Sequence, residues 1–200
     1  MKKLPSWFWV VAAIVGALLF VVVGFFLLRP YQYHGLLLES PKPAADFTLV
    51  GAGGREVKLS DYRGKLVVLY YGYTFCPDVC PTTLAEVTKA VQALGKKAED
   101  VQVIMVTVDP ERDTPERMAE YMAFFNPSFV GLSGTPDQIA EAATPFGIYY
   151  QKNEGTPASG YLVDHTATVN VLDREGRMRL VWPFGTEGDA MAADLKQMLK

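Results

Sequence analysis

A mixed α/β domain standing behind one membrane-spanning helix is the architecture this sequence predicts, and three observations predict it. Residues 7–28 form an uninterrupted uncharged, apolar run. Two β-branched, almost wholly apolar runs, residues 66–71 and 101–108, flank a stretch of helical periodicity, the grammar of a βαβ unit with parallel strands. After Gly160 two short runs, residues 166–172 and 178–182, are joined by Asp173-Arg174-Glu175-Gly176, a hairpin signal that makes the sheet mixed.

The first run, at about 1.5 Å per residue, is long enough to cross a hydrocarbon core of about 30 Å. It ends in Phe25-Phe26-Leu27-Leu28-Arg29-Pro30, without the small residues of a cleavage site, so a retained signal anchor is expected rather than a removed leader. Lys2 and Lys3 precede it and Arg29 alone follows, which places the amino terminus in the cytoplasm and the remainder outside. Trp7 and Trp9 suit one membrane interface and Tyr31 and Tyr33 the other. The expected layout is a cytoplasmic tail (residues 1–6), the anchor (7–28), a polar, proline-punctuated tether (29–43) and one exported domain (44–200), periplasmic if the source is bacterial.

Of the 19 basic residues, Lys2, Lys3 and Arg29 precede that domain, while all 22 acidic residues lie within the rest of the chain. The exported part is therefore acidic, which argues against nucleic acid as a partner.

Within the domain, Leu84, Val87, Val91 and Leu94 recur at helical spacing, with Glu86, Lys89 and Gln92 on the other side. Thr114-Pro115-Glu116 and Thr135-Pro136-Asp137 each open a helix, threonine as cap and proline at the first helical position. Residues 129–132 supply a strand between them, and an amphipathic helix over residues 189–199 closes the chain. Parallel βαβ, antiparallel hairpin and final helix follow one another in the order of a thioredoxin-like domain.

The two cysteines of the chain, Cys76 and Cys80, follow the strand that ends near Tyr73, at the carboxyl edge where open α/β sheets place their ligands. Asp109 ends the neighbouring parallel strand on the same edge. His165 precedes the strand beginning at residue 166, and if that strand is antiparallel its amino end points to this edge too. A helix starting near Cys80 to Thr83 would favour thiolate through its unpaired N–H groups and dipole. Two thiolates and one imidazole form a soft set suited to copper, Cu(I) first and Cu(II) second, whereas a closed zinc site wants four ligands. The four-residue spacing equally permits a disulfide, so Cys76 and Cys80 also read as a redox pair, with Cys76 as the attacking thiolate.

Other residues receive plainer readings. Asp164 points to the opposite side of an extended segment from His165. His34 reads as a polar residue at the membrane exit. Met118 and Met122 fall at helical spacing with Phe125 and read as core. Glu111-Arg112-Asp113 reads either as a brace beside Asp109 or as solvated surface, and Arg112 is the one conceivable anchor for a thiol peroxidase reading.

The blocks TFCPDVCP (residues 74–81), TVDPERDT (107–114), VGLSGT (130–135) and YLVDHT (161–166) recur in this order in the Sco/SenC family, which the chain closely resembles over residues 44–199. The resemblance implies a membrane-tethered thioredoxin-fold protein serving the copper A centre of cytochrome c oxidase. It implies Cys76, Cys80 and His165 as copper ligands and Asp109 as support. It further implies the copper A subunit as partner, with another copper chaperone or a thiol reductase beside it. Copper delivery and reduction of the copper A cysteines are both attributed to such proteins, and the motif is common to the two.

Overall fold

The computed structural model describes residues 5–154 and 160–200. The chain divides into two units, Met1–Gln32 and Tyr33–Lys200. The first is helix α1 (Ser6–Leu27), whose window Trp7–Phe25 carries no charge. Among the described residues it is the one helix long and apolar enough to cross a membrane, by length and composition. Pro5 precedes it in extended conformation and the Leu28 N–H closes its last turn on Gly24 O. Lys2 and Lys3, which carry the orientation argument, lie outside the described residues.

The second unit begins earlier than expected. Leu36–Leu37 forms a strand, β1, and Pro43 bridges to Arg177, so much of the segment read as a tether belongs to the folded domain. Next come a small hairpin of β2 (Thr48–Val50) and β3 (Glu56–Lys58), then β4 (Leu66–Gly72), α2 (Val79–Gln92) and β5 (Val101–Thr107). Every residue of β4 and β5 is buried, as uninterrupted apolar runs require of strands covered on both faces. Helix α3 (Pro115–Phe125) starts at Thr114, whose hydroxyl accepts from Arg117 N–H, and buries Met118 and Met122 as predicted. Strand β6 (Val130–Leu132) leads to α4 (Pro136–Ala143), opened by a capping box between Thr135 and Gln138. The chain ends with β7 (Tyr150–Glu154), β8 (Tyr161–His165), β9 (Val169–Leu172), β10 (Met178–Trp182) and α5 (Gly188–Met198).

The main sheet has the order β1-β10-β9-β4-β5-β6. Strands β4, β5 and β6 are parallel, while β9 runs antiparallel to β4 and to β10. This is the thioredoxin-like mixed sheet the sequence predicts. Successive side chains of a strand point to opposite faces, and in β4 Tyr70 turns its hydroxyl to Cys80 of α2 while Tyr71 turns its own to Ala142 O of α4. Helices α2 and α4 thus cover opposite faces. Helix α5 joins the α2 side, where Glu86 accepts from Gly188 N–H and Lys89 pairs with Asp189.

One expectation needs correction. The strand predicted over residues 166–172 starts only at Val169, and His165 ends a different strand, β8, paired with β7 in a separate two-stranded ribbon. The chain leaves the ribbon at Thr166, whose N–H and hydroxyl both turn to Tyr149 O, and re-enters the main sheet three residues later. The antiparallel direction of β9, on which the convergence of His165 with the cysteines depended, is as expected.

His34 also proves to have a structural part. Its main-chain N–H and Nδ1 both meet the carboxylate of Asp194 in α5, which is wholly buried and also accepts from Gly35 N–H and Trp182 Nε1.

Candidate metal centre

Strands β4 and β5 pair in register from Leu66↔Val101 to Gly72↔Thr107, so the loops that follow them emerge side by side. The first carries Tyr73 to Asp78 into α2. The second carries Asp109 to Asp113 into α3. Tyr70↔Val169 pairing sets the amino end of β9 at the same edge, and the ribbon just before it brings in His165.

Helix α2 begins at Val79, so Cys80 lies in its first turn. Cys80 is buried and Cys76 half-buried, and both are free thiols. The Cys80 N–H donates to Cys76 Sγ at 3.4 Å, which makes that sulfur a stand-in cap for the helix. Hydrogen bonds from the Cys80 thiol, then from the backbone N–H groups of Cys80 and Asp78, pull the Cys76 thiol down to about 3 against an opposing burial effect. Cys80 moves the other way: its bond to Cys76 and its burial push its thiol well up. Cys76 thus carries the half-exposed, more acidic sulfur and Cys80 the buried, less acidic one.

His165 Nε2 lies 3.3 Å from Cys80 Sγ, and its Nδ1 lies 3.1 Å from Thr166 O. A carbonyl only accepts, so Nδ1 carries the proton and Nε2 presents a lone pair toward the sulfurs. The rings of Tyr70 and Tyr73 pack edge-on against the imidazole, with centroids 6.1 and 5.9 Å away. The ligand atoms of Cys76, Cys80 and His165 all lie within 4.8 Å of one another, close enough for one ion to touch all three. Two soft sulfurs and one imidazole form a set that suits Cu(I) better than a hard cation. A groove of about 310 Å³ between the Cys76–Val79 loop and β8 opens onto Cys76 and His165, with Cys80 buried behind them.

Space for Cys80 is made by Gly72, since a Cβ there would lie 2.9 Å from Cys80 Sγ, Met105 Cε and Tyr70 Cε1.

Asp109, expected as support, is wholly buried and stands behind the trio rather than among its ligand atoms. Its carboxylate accepts from Tyr161 Oη and Arg112 Nε. Arg112 in turn donates Nη1 to Tyr161 O at 3.0 Å and lies over the rings of Tyr161 and Phe75, 3.7 and 4.6 Å from their centroids. The ribbon carrying His165 and the loop carrying Cys76 are thereby fastened to the end of β5. Arg112 is therefore a brace between Asp109 and Tyr161, and its buried Nη2 has no hydrogen-bond partner among the described residues.

Asp113, read in the sequence as either a brace beside Asp109 or solvated surface, is equally buried and is a brace. It accepts from Thr74 N–H at 2.9 Å, from the Thr74 hydroxyl and from Thr107 Oγ1 at 2.8 Å, and so ties the loop entering the cysteine motif to the end of β5. A signal was there to use, an acid in a short loop between a buried strand and a capped helix. Asp164 is exposed, accepts from Asn153 Nδ2 and is not among the converging ligand atoms.

A model of the SCO1/SenC family matches residues 38–200. The chain belongs to this family. Among SCO1/SenC relatives, the SCO2-like protein RC0895 of Rickettsia conorii is 34% identical over 140 residues, 70% of this chain and 68% of that protein. The solution structure of apo Sco1 from Thermus thermophilus shares 46% identity at a TM-score of 0.76, covering 84% of this chain and 98% of that one. The structure of Bradyrhizobium japonicum ScoI with copper bound shares 39% identity at a TM-score of 0.71, covering 78% and 99%. The SCO1/SenC match begins at residue 38 and so takes in all four sequence blocks around the cysteines, Asp109 and His165.

Proposed function

We propose that this protein is a membrane-anchored copper carrier that binds Cu(I) through Cys76, Cys80 and His165 and serves metallation of the copper A site of cytochrome c oxidase. The observation that carries the reading is the meeting of two sulfurs and one unprotonated imidazole nitrogen within 4.8 Å at the mouth of a groove. A relative solved with copper bound supports the choice of metal. The oxidase copper A subunit as partner follows from the family resemblance, as does a second copper chaperone or a thiol reductase as donor or recharger. Helix α1 would hold the protein in the membrane, with the amino terminus cytoplasmic and the domain on the extracytoplasmic side.

A half-exposed Cys76 thiolate beside a protonated Cys80 favours a second role. Such a pair attacks a partner disulfide with the first sulfur and resolves the mixed disulfide with the second. In that role Cys76 and Cys80 are the catalytic pair that keeps the copper A cysteines reduced.

A Cu(I) competition titration of the reduced full chain in detergent, with His165→Ala and Cys76→Ser beside it, tests the first role. One copper per chain, bound more weakly in both variants, is the expected result. Binding indifferent to His165, together with His165→Ala loss of disulfide reductase activity, would overturn it.

A further inference from the structure

Tyr70 sits at the middle of β4, fully buried, and touches two members of the metal centre. Its hydroxyl donates to Cys80 Sγ at 3.4 Å, and its ring meets the His165 imidazole edge-on at 71°. The two sulfurs are consequently held by different means. Cys76 takes its backbone hydrogen bonds from the head of α2, at a half-exposed position, whereas Cys80 takes a side-chain hydroxyl from a buried strand of the main sheet. A donor fixed on a rigid element orients the group it touches, and partners of this kind set both the placement and the electron density of a ligand atom.

We propose that Tyr70 is a positioning residue, whose O–H···S bond makes Cys80 the fixed sulfur of the pair and biases Cys76 and Cys80 toward the reduced, metal-accepting state. The sulfur of a thiol or thiolate accepts a hydrogen bond better than that of a disulfide, because bonding to a second sulfur draws off its charge. The hydroxyl therefore stabilises the dithiol over the disulfide. Its effect on metal rests on the assignment of Cys80 as a ligand, while its effect on the disulfide equilibrium does not.

Tyr70→Phe keeps the ring and its packing on His165 and removes only the donor. Tyr71→Phe is the control, since it removes another buried hydroxyl of β4 that instead donates to Ala142 O at 2.6 Å on the opposite face. The first readout is the equilibrium of metal-free full-length protein with reduced and oxidised dithiothreitol. Loss of one buried hydrogen bond should move Tyr70→Phe about fivefold toward the disulfide, with Tyr71→Phe unmoved. The second readout is Cu(I) affinity, expected to fall about as much in Tyr70→Phe alone. An unshifted disulfide equilibrium in Tyr70→Phe, or equal shifts in both variants, would overturn the proposal. If the wild-type chain took up no Cu(I), the copper reading would fall and the metal-free equilibrium would still decide the part played by Tyr70.

Discussion

The Nε2 atom of His165 lies 3.3 Å from Cys80 Sγ while Nδ1 of the same ring is committed to Thr166 O, so this imidazole is fixed in one tautomer with its lone pair turned to the sulfur pair. A histidine present only for packing needs no such commitment. His165→Ala is expected to lower Cu(I) affinity by at least about tenfold, the scale on which even indirect partners of a metal act. It should leave thermal stability nearly unchanged. Isothermal competition and a melting curve on the same preparation check both halves.

The division of labour between the sulfurs has a pH signature. A thiol lowered to about 3 is already thiolate throughout the neutral range, so alkylation of metal-free Cys76 by iodoacetamide should be flat between about pH 5 and 8. An ordinary cysteine would gain about tenfold per pH unit over that window, because its thiolate fraction rises as the proton leaves. Cys80, raised by its neighbour and by burial, should stay unlabelled across the range. Peptide mass spectrometry distinguishes the two sites.

Gly72 is required by contact rather than by backbone conformation. Gly72→Ala would press a methyl onto Cys80 Sγ, Met105 and Tyr70 at once. We expect a loss of about 1–3 kcal/mol in stability, the usual cost of overpacking, with a drop in Cu(I) affinity larger than that of equally destabilising variants elsewhere. Urea unfolding alongside copper titration separates the two effects.

Asp194 offers such a comparison far from the copper chemistry. Its carboxylate gathers the His34 N–H and Nδ1, Gly35 N–H and Trp182 Nε1, and Asp194→Ala should cost about 3 kcal/mol, chiefly by leaving the buried Trp182 Nε1 and the part-buried N–H groups of His34 and Gly35 without their acceptor. Copper affinity, measured below the unfolding transition, should be unaltered. A parallel loss of copper binding would show that the two regions are coupled.

Much of the scaffold was legible because it rests on local chemistry. The apolar runs of β4 and β5 and the Thr-Pro starts of α3 and α4 each declare themselves within a few residues, and so does the hairpin around Asp173. The convergence of Cys76, Cys80 and His165 followed from strand direction alone. The ribbon of β7 and β8 was not foreseen, since Tyr150–Glu154 is largely polar and its burial pattern gives no clean alternation. The braces were foreseen only as one of two readings of Glu111-Arg112-Asp113. Whether Arg112 and Asp113 lie on the surface or inside depends on which loops the sheet register brings together, and their partners Tyr161, Thr74 and Thr107 are distant or unremarkable in sequence. Likewise His34 lies 160 residues from Asp194, and nothing near it marks the contact.

The most direct test of the proposed centre is copper K-edge X-ray absorption on the Cu(I)-loaded full chain, with His165→Ala measured beside it. Two sulfur scatterers and one nitrogen scatterer in the wild type, with the nitrogen lost in the variant, is the predicted result. An all-sulfur shell in the wild type, or a spectrum unchanged by His165→Ala, would contradict it.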